Sequence, residues 1–280
     1  MLGRIIFAWM QGTNLDCNAK RCRFMADILN DFAIFLEIVA PIIPGFFTLI
    51  ICIAGLCKSI VGVAGGSTRA ALSQHQARKN NMADVAVKDG SQETLVNVTA
   101  LLFSLAMTPL ITGNQPLILF LFAAFTFLHL ISNYMAVTSV VMETLNQARL
   151  SILVKEFLKS TQALSVQEAN YQEPVIFKTS MKMSIHLGTS LKNACSDEED
   201  FNTLKKIYGS SKFLTSADLN EDHIHILLCT GCTVDDELQA CFQAEVINAA
   251  MDCNIPEKNL EKTSLLQKLV QAARESEYLS

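Results

Sequence analysis

Residues 63–94, VAGGSTRAALSQHQARKNNMADVAVKDGSQET, place glycines and basic side chains between two apolar stretches. The run from Gly65 to Thr68, followed by Arg69, favours a backbone nest with a capped helix start over 68–80. The N–H groups of a nest and of a helix start attract anions, so the stretch predicts an anion-binding surface. Its predicted ligand-binding residues are Gly65, Gly66, Ser67, Arg69, His75, Arg78 and Lys88.

A structural interpretation of the same stretch stays open. A well-capped basic loop beside lipid headgroups would have this composition without a specific ligand. Asp89 with Gln92 predicts a capping box for the next helix. The stretch lacks the G-x4-G-K-[ST] spacing of a nucleotide-binding loop, so nucleotide hydrolysis is not supported.

Three polar side chains lie inside the most apolar stretch of the chain: Thr126, His129 and Asn133. His129 and Asn133 are one helical turn apart and would share a face. Polar residues at membrane depth are expensive and often functional, which predicts the lining of a transport path. Hydrogen bonding between helices is the alternative.

The sequence HIHILLCTGC contains the strongest metal candidate, with His223, His225, Cys229 and Cys232. Two histidines that alternate on a strand share a face, and C-x2-C is a common zinc half-site. A second half-site does not follow, so buried thiols and two strand histidines are the favoured interpretation. We expect no metal and no cofactor.

Other chemistry has little support. No nucleophile–base pair, ligand set or acid pair has a spacing that catalysis would need, so we expect a non-enzymatic protein. The absence of a basic patch argues against a nucleic-acid partner. Nine cysteines, an odd number that includes two in an apolar run, indicate reduced thiols.

The chain that positions these residues divides near residue 143 into two halves of different composition. Residues 1–142 carry nine Lys or Arg and seven Asp or Glu, whereas residues 143–280 carry thirteen and twenty. The first half is apolar and has two long uncharged stretches, twenty residues between Glu37 and Lys58 and forty-nine between Glu93 and Glu143. About twenty residues of helix cross a bilayer. We therefore predict spans at about 38–58, 95–111 and 117–140, with a turn at 112–116.

An amphipathic helix over 20–37 is predicted before the first span, with Asp27 and Asp31 on its solvated face. Proton-handling carboxylates inside a helix bundle are the alternative for these two residues. Basic residues in 58–93 and after the last span place both segments on one side of the membrane, the cytoplasmic or an equivalent one. The chain is thus expected to be an integral, multi-pass membrane protein.

The acidic second half has a different pattern. A linker helix and loop over 151–174, ending in QEANYQEP, lead to an α+β domain over 175–280. SIHLGTSL and HIHILLCT predict strands, and three helical patterns begin near residues 197, 233 and 260. Thr233 caps the second of these helices. The predicted fold is mainly α: a helical membrane region over 1–150 followed by this small α+β domain.

Several strings of the first half resemble the root UVB-sensitive (RUS) family of eukaryotic membrane proteins: GRIIFAW, LDCNAK, ADILND, VAGGSTRAALSQHQARKNNMADVAVKDGSQETL and VMETLNQARL. The resemblance covers roughly residues 2–150 and is looser beyond them. Many relatives have Gln-Trp-Arg where this chain has Arg21-Cys22-Arg23. Relatives also start further upstream, so the chain is expected to be a shortened isoform or a fragment.

The resemblance implies a link to UV-B responses and vitamin B6 homeostasis, with no established catalytic chemistry. We therefore expect a non-enzymatic multipass membrane protein whose basic loop binds an anionic small molecule, a lipid headgroup or a partner. The partner could be another RUS-family protein. The alternative is a small-molecule transporter linked to vitamin B6 homeostasis.

Overall fold

The computed structural model describes residue 5 and residues 17–176, 183–195, 197–218 and 221–253. The chain forms two compact units. The first lies within residues 1–142 and 175–177, and the second within residues 143–174 and 178–280.

Helix α1, Ala19–Val39, opens the described part of the first unit. Its buried side chains are those of Lys20, Asp31, Phe24 and three alanines, whereas Phe32 and Phe35 are exposed. The predicted solvated face is therefore wrong. Asp31 points inward because it bonds to a histidine of a later helix, described below.

Two short 3-10 turns, Ala40–Ile42 and Pro44–Phe46, separate α1 from helix α2, Phe47–Gln76. The predicted first span, 38–58, is displaced. Prolines early in that window fix the backbone in tight turns, so the long helix begins after them. Lys58 does not end the helix, because its ammonium group pairs with Glu37 of α1 at 2.6 Å.

Helices α3, Met82–Ile111, and α4, Gln115–Ser139, form the predicted hairpin. The turn between them contains Gly113 at φ +87°, a left-handed conformation that glycine adopts without a Cβ clash. The Asn114 side chain caps α4 by accepting a hydrogen bond from the Leu117 N–H. The apolar helices and their turn are confirmed, although α3 begins thirteen residues before the predicted span.

Three described segments are long and apolar enough to cross a membrane: Pro44–Gln76, Met82–Ile111 and Gln115–Ser139. They expose many large apolar side chains, among them Leu105 and Phe127. Exposed apolar surface of this extent is typical of contact with lipid.

The second unit begins with α5, Gln147–Ser160, and α6, Val166–Gln172. Part of the predicted loop, QEANYQEP, is therefore a helix. Its capping box joins Ser165 and Glu168, each bonding to the other residue's backbone. Leu153 of α5 packs against Ala169 of α6.

A three-stranded sheet has the order β1-β3-β2, with β1 Ser184–Leu187, β2 Phe213–Asp218 and β3 His223–Leu228. Strands β1 and β3 are parallel, and β2 and β3 are antiparallel. The sequence predicted strands β1 and β3 but did not predict β2.

Helices α7, Leu191–Ala194, α8, Glu198–Tyr208, and α9, Val234–Cys253, complete the described part of this unit. Helices α8 and α9 and the Thr233 cap match their predictions, since the Thr233 hydroxyl accepts from the Asp236 N–H at 3.3 Å. One face of the sheet, including Ile224 and Ile226, packs against α9. The helix predicted from residue 260 lies outside the described residues.

Candidate functional site

A cleft of about 540 Å³ lies in the first unit and is lined by residues of α1 to α4 together with Val140. Polar groups of all four helices face it. They are Arg23 and Asp27 of α1, Arg69, Ser73 and Gln76 of α2, Asp89 and Glu93 of α3, and Asn133 of α4. Ligand pockets typically have volumes of about 300–1,000 Å³, so the cleft is large enough for a small molecule.

Arg69 joins α2 to α3 through two carboxylates. Its Nε donates to Asp89 Oδ2 at 2.6 Å, and its Nη1 lies 2.6 Å from Glu93 Oε2. Asp89 and Glu93 are four residues apart, so they project from the same face of α3. The planar guanidinium can hold both at once, whereas an ammonium group is a single point charge.

Arg23 approaches the cleft from α1. Its Nη1 donates to the Gly65 carbonyl at 3.4 Å, and its Nε lies 3.8 Å from Asp27 Oδ2. The two arginines and three carboxylates of the cleft give it a formal charge of −1. An anion would therefore have to displace carboxylates that already occupy Arg69.

The predicted nest is wrong, because α2 is unbroken from Phe47 to Gln76. Gly65 and Gly66 lie in the helix interior, where N–H groups bond to carbonyls of the preceding turn. Asp89 likewise lies inside α3 and does not cap it, because that helix begins at Met82. The predicted basic loop is thus mostly two helices, joined by residues 77–81.

The predicted ligand-binding residues divide into two groups. Gly65, Gly66 and Arg69 line the cleft. His75 bonds instead to the Val141 carbonyl at 2.8 Å, and Arg78 and Lys88 are exposed. Neither these three residues nor Ser67 belongs to the cleft lining.

The three predicted intramembrane polar residues differ in their position relative to the cleft. Asn133 lines the cleft and its amide Nδ2 donates to Nε2 of His129 at 2.8 Å. Nδ1 of His129 donates to Asp31 Oδ2 at 2.9 Å. A neutral ring protonated on Nδ1 satisfies both bonds. Thr126 belongs to neither the lining nor this chain of bonds.

Sequence reasoning missed Arg23, Asp89 and Glu93 as site residues, and for Asp27 it favoured a solvated face over a place inside the bundle. The spacing of Asp89 and Glu93 on one helical face was a usable signal. Arg23 and Asp27, also four residues apart, gave the same signal on α1.

The four candidate zinc ligands, His223, His225, Cys229 and Cys232, all lie in the described part of the chain and do not form a metal site there. Cys229 follows the end of β3, four residues after His225, which is roughly 13 Å along an extended strand. Cys232 Sγ lies 3.6 Å from the carbonyl of Thr233. Both cysteines therefore lie beyond the C-terminal end of β3, whereas the histidines belong to its first half.

Comparison with known proteins covers almost the whole chain. Residues 1–161 match the family model described as the vitamin B6 photo-protection and homoeostasis domain. Residues 162–279 match the model of the C-terminal region of root UVB sensitive protein. The second half thus shares the family likeness more fully than its sequence strings suggested.

Curated relatives include RUS family member 1 of Dictyostelium discoideum, 41% identical over 197 residues, which cover 69% of this chain and 37% of that protein. Protein root UVB sensitive 3 of Arabidopsis thaliana is 39% identical over 176 residues, or 63% of this chain and 40% of the relative. The chain thus spans less than half the length of either relative. No solved structure matches. The two family models and these identities show that the chain belongs to the root UVB sensitive family.

Proposed function

We propose that this chain forms the ligand-binding region of a non-enzymatic, multipass membrane carrier for a small zwitterion, a vitamin B6 vitamer in particular. The single observation that carries the proposal is the cleft in which Arg69, held by Asp89 and Glu93, faces the same space as Asn133. The proposal favours transport over the anion-binding basic loop expected from sequence.

The burial pattern of α1 supports the membrane assignment. The helix buries Lys20, Asp31 and three alanines together with Phe24, and it exposes Met25, Phe32 and Phe35. A helix in water has the opposite pattern, whereas a helix surrounded by lipid turns its polar groups toward the bundle. The three long apolar helices agree with this environment.

The charges of the cleft support a zwitterionic ligand. Unphosphorylated vitamers of the pyridoxine type combine a pyridinium N–H with a phenolate oxygen on one ring. Proteins hold a pyridinium nitrogen with an aspartate or an arginine, and a guanidinium suits an anionic oxygen. Asp89 or Glu93 would hold the pyridinium, while the oxygen would share the Arg69 guanidinium, whose Nε and Nη1 already bond to the two carboxylates.

Binding, not catalysis, fits the groups available. Among the described residues that line the cleft there is no histidine or cysteine. Two of its three carboxylates are engaged by Arg69 at 2.6 Å. A general base would need to reach a substrate proton, and these carboxylates are held by a neighbouring cation.

Anion binding at exposed basic residues remains the second candidate. Arg78, Lys79 and Lys88 are exposed and lie outside the cleft lining. Basic side chains near a bilayer attract anionic headgroups by about 1 kcal/mol each. This function would depend on charge and salt and would not require the cleft.

The two candidates are separated by binding measurements on the full chain in lipid nanodiscs. Equilibrium dialysis would compare pyridoxine, pyridoxal and pyridoxal phosphate. We expect the unphosphorylated vitamers to bind more tightly, because the cleft is formally negative. Asp89→Asn should weaken pyridoxine binding about tenfold or more, as expected for a hydrogen bond to a charged group.

Lys79→Gln is the matched control, since it changes a charge outside the cleft. The proposal is wrong if pyridoxine does not bind saturably, or if neither Asp89→Asn nor Glu93→Gln weakens its binding. Loss of binding in Lys79→Gln together with steep salt dependence would support the headgroup function instead. Uptake of pyridoxine into proteoliposomes would then distinguish a carrier from a receptor.

A further inference from the structure

Three of the five histidines of the chain come together on one face of the sheet in the second unit. The ring centroids of His186 and His223 are 4.8 Å apart, those of His186 and His225 are 5.5 Å apart, and those of His223 and His225 are 5.9 Å apart. We propose that these three imidazoles bind a divalent late transition metal, zinc foremost.

The strand register explains why the three rings meet. His186 of β1 is the Cα partner of His225 of β3, so the two side chains lie on the same face of the parallel pair. His223 lies two residues before His225 and shares that face. The other face carries Ile224 and Ile226, which pack against α9.

Two nitrogens of the cluster lack a partner. Within the part of the chain that the structure describes, Nδ1 of His223 and Nδ1 of His225 are buried and make no hydrogen bond. Burying a polar atom without a partner destabilises the folded state. A metal ion would provide both nitrogens with a ligand bond, which offsets that cost.

The ring spacing matches that of imidazoles that share one metal. A zinc–nitrogen bond of about 2.0–2.1 Å places each ring centroid about 3.2 Å from the ion. At a tetrahedral angle, two such centroids are about 5.2 Å apart. The three observed separations, 4.8 to 5.9 Å, lie on both sides of this value.

Binding requires the rings to turn. As the described side chains stand, no three His, Cys, Asp or Glu groups are arranged to hold a metal. The χ2 torsion of histidine is broad, so ring rotation without backbone movement is inexpensive. His186 is exposed on the edge strand β1.

The chemistry of the cluster selects the class of ion. Neutral imidazole suits zinc, copper and nickel, while magnesium and calcium prefer oxygen ligands. Asp218 is the Cα partner of His223 on β2, which places a carboxylate on the same face and favours a cation. Three protein ligands leave a fourth position for water, as in catalytic zinc sites.

The test is metal titration of the purified full chain after chelator treatment. Calorimetry with zinc chloride should show one equivalent bound, and cobalt chloride should give the visible absorption of a tetrahedral site. His186→Asn should lower zinc affinity about tenfold or more.

Two controls isolate the cluster. His75→Asn removes a histidine of the first unit, and Cys229→Ser removes the nearest thiol candidate; neither should change zinc affinity. His186 is exposed, so His186→Asn should keep the metal-free melting temperature and the circular dichroism of the unsubstituted chain. His225→Asn, a buried position, supplies a second test of the same prediction.

The proposal is overturned if zinc does not bind at one equivalent, or if it binds His186→Asn as tightly as the unsubstituted chain. It is also overturned if Cys229→Ser abolishes binding, because the ligands would then be thiols. This inference does not depend on the proposed function, since it concerns the other unit and needs no vitamer.

Discussion

Nδ1 of His129 lies 2.9 Å from Oδ2 of Asp31, although the two residues are 98 positions apart. This hydrogen bond joins α1 to α4 near the middle of both helices. Asp31 is 8% exposed, so its carboxylate depends on this partner. Asn133 extends the chain of bonds from His129 to the cleft.

Removal of the imidazole should destabilise the first unit. His129→Leu leaves the Asp31 carboxylate buried without its bond, and a buried polar group that loses its partner costs about 1–3 kcal/mol or more. We expect a lower melting temperature in detergent. Thr138→Val is the control on the same helix, because the Thr138 hydroxyl bonds only to its own helix backbone. Equal melting temperatures for both variants would contradict the prediction.

Leu105→Arg should distinguish lipid from water around α3. Leu105 is exposed and lies within an apolar segment that is long enough to cross a membrane. An arginine there would cost about 2.5–3.5 kcal/mol in a bilayer and almost nothing in water. The expected result is less protein in the carbonate-resistant membrane pellet, with Leu105→Ile unchanged. Normal recovery of Leu105→Arg would show that α3 faces water.

The loop after α2 and the second unit should face the same compartment. The loop at Lys79 is separated from residue 143 by two apolar helices, so an even number of crossings lies between them. Cysteines introduced by Lys79→Cys and Lys212→Cys should label alike before and after membrane permeabilisation, relative to the unsubstituted chain. Opposite responses would require a different number of crossings.

Cys241 should react slowly in the folded protein. Burial raises the pKa of its thiol to about 11. Because the thiolate is the nucleophile, alkylation below pH 9 should be much slower in the folded chain than in the denatured chain. Mass spectrometry of iodoacetamide adducts against time measures this difference. A similar rate in both states would contradict the prediction.

The same shift predicts a pH dependence of stability. The folded-state pKa exceeds the unfolded value of about 8.5, so the folded state holds the proton more tightly. The stabilising contribution is fully present below about pH 8.5 and is lost as the pH rises toward 11. Cys241→Ala should have a smaller fall in melting temperature over this range.

Glu173 should be a strong determinant of stability in the second unit. Its carboxylate accepts from Asn146 Nδ2 at 2.6 Å and from Arg149 Nη1 at 3.5 Å. The Arg149 side chain is only 1% exposed. Glu173→Ala should therefore lower the free energy of unfolding by about 3–5 kcal/mol, because the buried Arg149 guanidinium loses the carboxylate that balances its charge. Glu199→Ala, at an exposed position, is the control in thermal melts, and an equal effect of both would contradict this role.

The sequence by itself determined the elements that composition and periodicity encode. Forty-nine uncharged residues between Glu93 and Glu143 predict a hairpin of long helices, and the turn at Gly113 follows from local chemistry. The alternation in HIHILL predicts a strand, and Thr233 with Asp236 predicts the start of α9. These features depend on neighbouring residues only, so a single sequence suffices.

The tertiary structure alone decided which residues meet. The sequence predicted a helix start next to Gly65 and Gly66, but packing of a continuous α2 against α1 overrides their weak helix propensity. The sequence predicted that Asp31 faces water, but in the fold it bonds to His129. It also predicted that Arg69 binds an anion, but in the fold Arg69 pairs with Asp89 and Glu93. His186 joins His223 and His225 only through the strand register. Each of these pairs joins residues that are distant in the chain, and their meeting depends on how the helices and strands pack.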